Sequence, residues 1–167
     1  DPCSALSRFS TETKPAISYP APRPGAGKTS LGLMIADLVA KKHRVLFVSL
    51  EMDDIQLTAK RVANLTGMWT SKVQFKADKT EKDLAIIADA TVKLSERRLT
   101  MNRMAGATVA QIGVMARSCN AELVVIDYLG LIQSEQRNIN SYERVTKISG
   151  DLKRLARSLN CPVLCLA

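Results

Sequence analysis

The sequence predicts an α/β domain with a mostly parallel central sheet flanked by helices. Three observations predict it. Short apolar runs at residues 44–50, 122–127 and 161–167 are separated by longer stretches with apolar residues at helical spacing, the alternation that builds a parallel sheet through crossover helices. The runs are continuously apolar, as expected for strands covered on both faces. Two of them lead directly into a carboxylate, Glu51 and Asp127, the position at which open α/β sheets gather ligands.

The elements follow in order. Residues 1–20 read as an irregular segment broken by Pro2, Pro15 and Pro20, with Ala16–Tyr19 available as a short strand, and residues 21–167 read as the regular α/β core. A helix is expected from Thr29 to Lys41, closed by the basic cluster Lys41, Lys42, His43 and Arg44. Arg44–Leu50 is a buried strand. Helices are expected at about 53–66, where Ile55, Leu57, Val62 and Leu65 recur at helical spacing, and at about 80–96, with a polar connection between them. Arg98–Met101 is a candidate strand, and Thr108–Ser118 a helix carrying Val109, Ile112, Val114 and Met115. Glu122–Asp127 is the clearest buried strand. Residues 130–141 read as a polar loop, Tyr142–Leu159 as the last helix and Cys161–Ala167 as a further strand.

Length and composition narrow the class. A chain of 167 residues suits roughly one domain, and with 46% hydrophobic and 24% charged residues it can bury a core. No apolar run approaches the about 18 residues of a membrane span. The net charge of +8 favours a polyanionic partner such as nucleic acid, against the alternative of a passive basic surface. Cys3, Cys119, Cys161 and Cys165 have no metal-binding spacing and read as reduced core residues. His43 stands without a second His or Cys cluster and reads as solvated surface rather than a ligand. The first eight residues lack the continuous apolar stretch of a secretion signal, so the expected location is the cytoplasm.

Three constellations carry chemistry. Residues 22–30, Pro-Arg-Pro-Gly-Ala-Gly-Lys-Thr-Ser, place a phosphate-binding loop at a helix start: Gly25 and Gly27 let successive N–H groups point at an anion, Lys28 supplies a cation and Thr29 can hold Mg²⁺. The consensus G-x-x-x-x-G-K-[ST] would have glycine at position 22, where this chain has Pro22, so the match is to Gly27-Lys28-Thr29. The second constellation is Leu123-Val-Val-Ile-Asp127, which delivers a carboxylate able to hold the water shell of Mg²⁺. The third is Phe47-Val-Ser-Leu-Glu51-Met52. Glu51 has two readings from spacing alone: a base for the attacking water, or a cap for the helix beginning near Asp53 and Asp54.

Four strings in register resemble the C-terminal RecA-like motor domain of DnaB-type replicative DNA helicases: Arg23-Pro-Gly-Ala-Gly-Lys-Thr-Ser30, Phe47-Val-Ser-Leu-Glu-Met52, Leu123-Val-Val-Ile-Asp-Tyr-Leu129 and Ile148–Val163. The resemblance covers about residues 21–167. It implies a RecA-like P-loop NTPase fold and an ATP-dependent helicase using ATP and Mg²⁺. It also implies nucleotide binding by Arg23, Pro24, Gly25, Ala26, Gly27, Lys28, Thr29 and Ser30, catalysis by Glu51, and magnesium binding by Thr29 and, through water, Asp127. It further implies a homo-hexameric ring on single-stranded DNA, with primase and a helicase loader as candidate partners. The loop after Asp127, with Arg137, Asn138 and Asn140, is the candidate DNA contact, while Lys147, Lys153, Arg154 and Arg157 read as a solvated or subunit-facing stripe. The chain departs from the family pattern at Gly130, where a glutamine is usual, and at Asn102-Arg103, where paired aspartates are common. The resemblance places an arginine finger and a second DNA-binding loop beyond Ala167, so the chain reads as a truncated motor domain. Two alternatives remain open on sequence: a RecA-type recombinase or other ring ATPase, and a non-hydrolysing DNA-binding module of the same fold.

Overall fold

In the computed structural model the described residues are 27–75, 79–133 and 140–166, together with the backbone of Ile17–Ser18. Five strands pair in the order β1-β5-β4-β2-β3, every pair parallel: β1 (Ile17–Ser18), β2 (Val45–Ser49), β3 (Leu99–Arg103), β4 (Leu123–Asp127) and β5 (Val163–Leu166). The helices are α1 (Lys28–Val39), α2 (Asp54–Thr66), α3 (Thr70–Gln74), α4 (Glu81–Ser95), α5 (Val109–Ser118) and α6 (Ser141–Leu159), and a 3₁₀ turn spans Leu129–Leu131.

The continuous apolar runs are buried on both faces, as their composition requires. All five residues of β2 and of β4 are buried. Leu46, Val48, Val124 and Ile126 face one core cluster with Ile112, Ala116, Ile148 and Leu152 of α5 and α6. Val45, Phe47, Leu123 and Val125 face the other, with Leu33 and Ala36 of α1 and Leu57 of α2. A third cluster joins α2 to α4 through Val62, Ala90 and Leu94.

Helix starts are set locally. Asp53, Thr80, Thr108 and Asn140 each accept a bond from the backbone N–H three residues on, and the residue there, Gln56, Asp83, Gln111 or Glu143, bonds back to the cap N–H. Two expectations are adjusted and a third holds. The polar connection between the second and third helices contains a one-turn helix, α3, which Lys72 ties to Asp83 of α4 at 2.9 Å. The third strand runs two residues beyond Met101, to Arg103, because it zips in register against β2 along its whole length. The weak apolar stretch at Ala16–Tyr19 does contribute a strand, since Ile17 and Ser18 pair with Leu164 and Cys165.

Candidate functional site

The parallel register brings the carboxyl ends of the strands to one edge. Ser49 pairs with both Asp127 and Arg103, and Asp127 pairs with Leu166. Helix α1 begins at the same edge. Gly27 precedes it with φ 82°, a left-handed conformation that glycine adopts without a Cβ penalty. The first turn of α1 therefore points backbone N–H groups and the positive end of the helix dipole toward the same edge, beside Lys28 and Thr29.

Glu51 is placed by a short rigid turn. The Ser49 hydroxyl donates to the Met52 carbonyl at 2.7 Å and accepts from the Met52 N–H at 2.9 Å, closing the chain around residues 50 and 51. The Leu50 N–H donates to the Asp127 carbonyl at 2.8 Å, so the residue before Glu51 is bonded to the end of β4. Leu50 is buried and Glu51 exposed, which turns the carboxylate outward from the sheet edge. The capping reading of Glu51 is answered here: Asp53 caps α2, accepting from the Gln56 N–H at 2.8 Å.

Asp127 is 6% exposed. Its pKa is raised above the usual carboxylate range chiefly by burial, with the Glu51 charge acting in the same direction. A hydrogen bond from the Thr29 hydroxyl and the charges of Lys28 and Lys60 pull the other way. One carboxylate thus feels Lys28, Thr29 and Glu51, three of the groups assigned to the site from sequence. Lys60 is the residue that sequence reasoning missed. It sits in the middle of α2 among apolar positions, and its only signal was helical spacing, because Leu57, Lys60, Arg61 and Asn64 fall on one face.

The remaining predicted residues divide. Lys28, Thr29 and Glu51 act on Asp127, and Gly27 and Ser30 adjoin them in the chain, whereas Arg23, Pro24, Gly25, Ala26, Arg137 and Asn138 lie outside the described residues. Asn140 is the cap of α6, and its side-chain oxygen accepts from the Glu143 N–H at 2.8 Å. At Gly130, a Cβ would stand 2.8 Å from the Tyr128 ring, so the larger residue usual in the resembling helicases would require that ring to move. His43 is on the surface, 3.4 Å from Glu122.

The donor set fits a phosphorylated ligand with a hard cation. Hydroxyl and carboxylate oxygens, from Thr29 and Asp127, are the ligand types Mg²⁺ takes, and it commonly keeps water between itself and one carboxylate. A helix N-terminus with a lysine is suited to phosphate oxygens.

Comparison with known proteins agrees. Residues 13–167 match the family described as DnaB-like helicase C terminal domain. A probable plasmid replicative DNA helicase of Chlamydia muridarum is 33% identical over 157 residues, and the replicative DNA helicase DnaC of Bacillus subtilis 34% over 154. Each alignment covers 88% of this chain and 34% of the relative, so the chain spans about a third of the length of these curated relatives. Among solved structures, one described as an ATPase domain superposes with a TM-score of 0.86 at 24% identity, covering 98% of this chain and 61% of that one. A DnaB-like replicative helicase studied with primase superposes at 0.79 with 21% identity, covering 98% and 46%. These two show the RecA-like fold. The recombinase and non-hydrolysing readings are not favoured by the family match. The chain belongs to the DnaB-like helicase C-terminal domain family.

Proposed function

We propose that this chain is the ATP-hydrolysing motor of a replicative DNA helicase, and that the complete protein couples hydrolysis to movement along single-stranded DNA and to duplex unwinding. The observation that supports it most directly is the convergence of charges on Asp127 at the sheet edge: its carboxylate accepts from the Thr29 hydroxyl and feels the charges of Lys28 and Glu51, while the Leu50 N–H, one residue before Glu51, donates to its carbonyl. In this reading the backbone of Arg23, Pro24, Gly25, Ala26, Gly27 and Ser30 wraps the phosphates of ATP, and Lys28 neutralises the outer ones. Thr29 and Asp127 hold Mg²⁺, Asp127 through water; the ion when bound offsets charge on the transferring phosphoryl group.

Glu51, exposed at the same edge, orients the attacking water and accepts its proton. Burial keeps Asp127 in place with few alternative positions, while Lys60 adds a second positive charge on the side of α2. In this reading an arginine borrowed from a neighbouring subunit completes the transition-state charge, as phosphoryl transfer commonly requires. A homo-hexameric ring in the cytoplasm, contacting single-stranded DNA through the loop that holds Arg137, Asn138 and Asn140 and working with primase and a loader, completes the proposal.

Steady-state ATP hydrolysis and strand displacement by the complete protein test it. Glu51→Gln is expected to bind ATP with near-native affinity and to hydrolyse it about 10²–10⁴-fold more slowly, the usual weight of a general base. Lys28→Ala is expected to lose nucleotide binding. Wild-type hydrolysis by Glu51→Gln would sink the assignment of the base.

A further inference from the structure

A buried ion pair outside the nucleotide site ties the phosphate-binding helix to its neighbour. Arg61 of α2 is 7% exposed. Its Nε donates to both carboxylate oxygens of Asp37 on α1 at 3.0 Å, and its Nη2 donates to Asp37 Oδ1 at 2.6 Å. The same guanidinium reaches the Leu94 carbonyl at the end of α4, 3.3 Å away, and lies 4.0 Å from the Met101 sulfur on β3. Three residues further along α2, Asn64 donates to the Ser30 carbonyl at 2.9 Å. Helix α2 therefore grips α1 at two places about two turns apart on α1, Asp37 and Ser30, the second in the turn that carries Lys28 and Thr29.

The other end of α2 is fixed to Glu51. Asp53 caps the helix with a reciprocal bond to Gln56, and the Ser49–Met52 turn joins that cap to β2. The separation of α1 from α2 consequently sets the separation of Lys28 and Thr29 from Glu51. A buried ion pair is weak evidence for stability, because apolar residues of similar volume often serve as well. A planar fork differs from an apolar contact in specifying distance and angle together.

We propose that Arg61 and Asp37, with Asn64, are positioning residues for ATP hydrolysis, holding the phosphate-binding turn of α1 at the distance from Glu51 that the attacking water requires. The proposal rests on the reading of Lys28 as a phosphate ligand and Glu51 as the base. It carries a specific kinetic signature, since misplacement of a reacting group slows chemistry more than it weakens binding.

The test uses the complete protein with Arg61→Lys, Asp37→Asn, their combination and Asn64→Ala, scored by kcat, KM for ATP and thermal midpoint, with Lys28→Ala and Glu51→Gln as controls. Lysine keeps the charge and loses the fork. Each single change at the pair is expected to lower kcat about tenfold with KM within about twofold, and the combination to lower it little further, because both remove one interaction. Asn64 is exposed, so Asn64→Ala leaves no buried charge unpaired and reads the second grip in a folded protein; a kcat fall of about threefold is expected. Wild-type kcat in Arg61→Lys and Asp37→Asn, whether or not they melt earlier, would overturn the proposal and leave the pair a structural one. Should Arg61→Lys not fold, wild-type kcat in Asn64→Ala overturns it equally. Undiminished hydrolysis by Lys28→Ala and Glu51→Gln would instead remove the reading of the site itself.

Discussion

Burial raises the pKa of Asp127, and the sign of that shift decides what the residue does for stability. The folded protein takes up a proton at this carboxyl more readily than the unfolded chain. The associated stability is full below the ordinary value of 3.8 and declines as pH rises through the raised one. At neutral pH the ionised group is therefore a liability in the metal-free protein. In a chelator, Asp127→Asn is expected to raise the thermal midpoint at pH 7, with the gain vanishing as pH falls toward 3.8, while Mg²⁺ affinity drops about 10–100-fold. Scanning calorimetry across pH, beside a magnesium titration of hydrolysis, checks both halves. Gly32 poses the opposite question, one of space. A Cβ there would lie 2.6 Å from Leu166 Cδ1, so α1 packs against β5 as closely as it does only without a side chain. Gly32→Val is expected to cost roughly 1–3 kcal/mol in overpacking, read as a lower denaturant midpoint at unchanged slope. The thiols of Cys161 and Cys165, pushed by burial to about 11 and about 12, are inert core groups, in keeping with the absence of ligand spacing in the sequence.

At the scale of elements, the capping boxes explain why helix starts were legible within a residue or two. Each is written in four consecutive residues, an acceptor followed by a Gln, Asp or Glu at the third helical position. Asp53 does more than start a helix, because it stands two residues after Glu51. Asp53→Ala is expected to cost about 1 kcal/mol of stability and, by loosening the segment that holds Glu51, to lower kcat for ATP more than it raises KM; urea unfolding and steady-state kinetics separate the two. The one-turn α3 escaped a periodicity reading because five residues contain too little of a 3.6-residue repeat to register. It is held from outside by the bond of Lys72 to Asp83, whose carboxyl is lowered to about 2, first by the Thr80 backbone N–H and then by that lysine. Likewise β3 reads as four residues in sequence and is five in the fold, since Asn102 and Arg103 are polar and become strand through pairing with Val48 and Ser49.

At the scale of the whole molecule, the sheet serves as a ruler. Parallel pairing sets Ser49, Asp127 and Leu166 level, and α1 starts at that level, so residues far apart in sequence meet. A ligand bound there links α1, β2 and β4 and should stabilise the domain as a unit. ATP with Mg²⁺ at about 100 times its dissociation constant is expected to add about 2.7 kcal/mol to the stability of the wild type. Lys28→Ala is expected to show no rise in thermal midpoint under the same conditions, as differential scanning fluorimetry would report. Among the described residues no helix is long and apolar enough to cross a membrane.

The sequence by itself determined the α/β class, the order of most elements and the identities of Lys28, Thr29, Glu51 and Asp127 as candidates, because each depends on a local pattern: a buried run, a cap, or a glycine-lysine-threonine start. Tertiary structure alone decided where Glu51 stands, by bonding Leu50, the residue before it, to the Asp127 carbonyl at the end of β4. It likewise decided that the Lys60 charge acts on Asp127 and that Arg61 grips Asp37. In sequence these are ordinary charged residues on helices. The partner of Arg61 lies 24 positions away, and only the packing of α2 against α1 turns that spacing into contact.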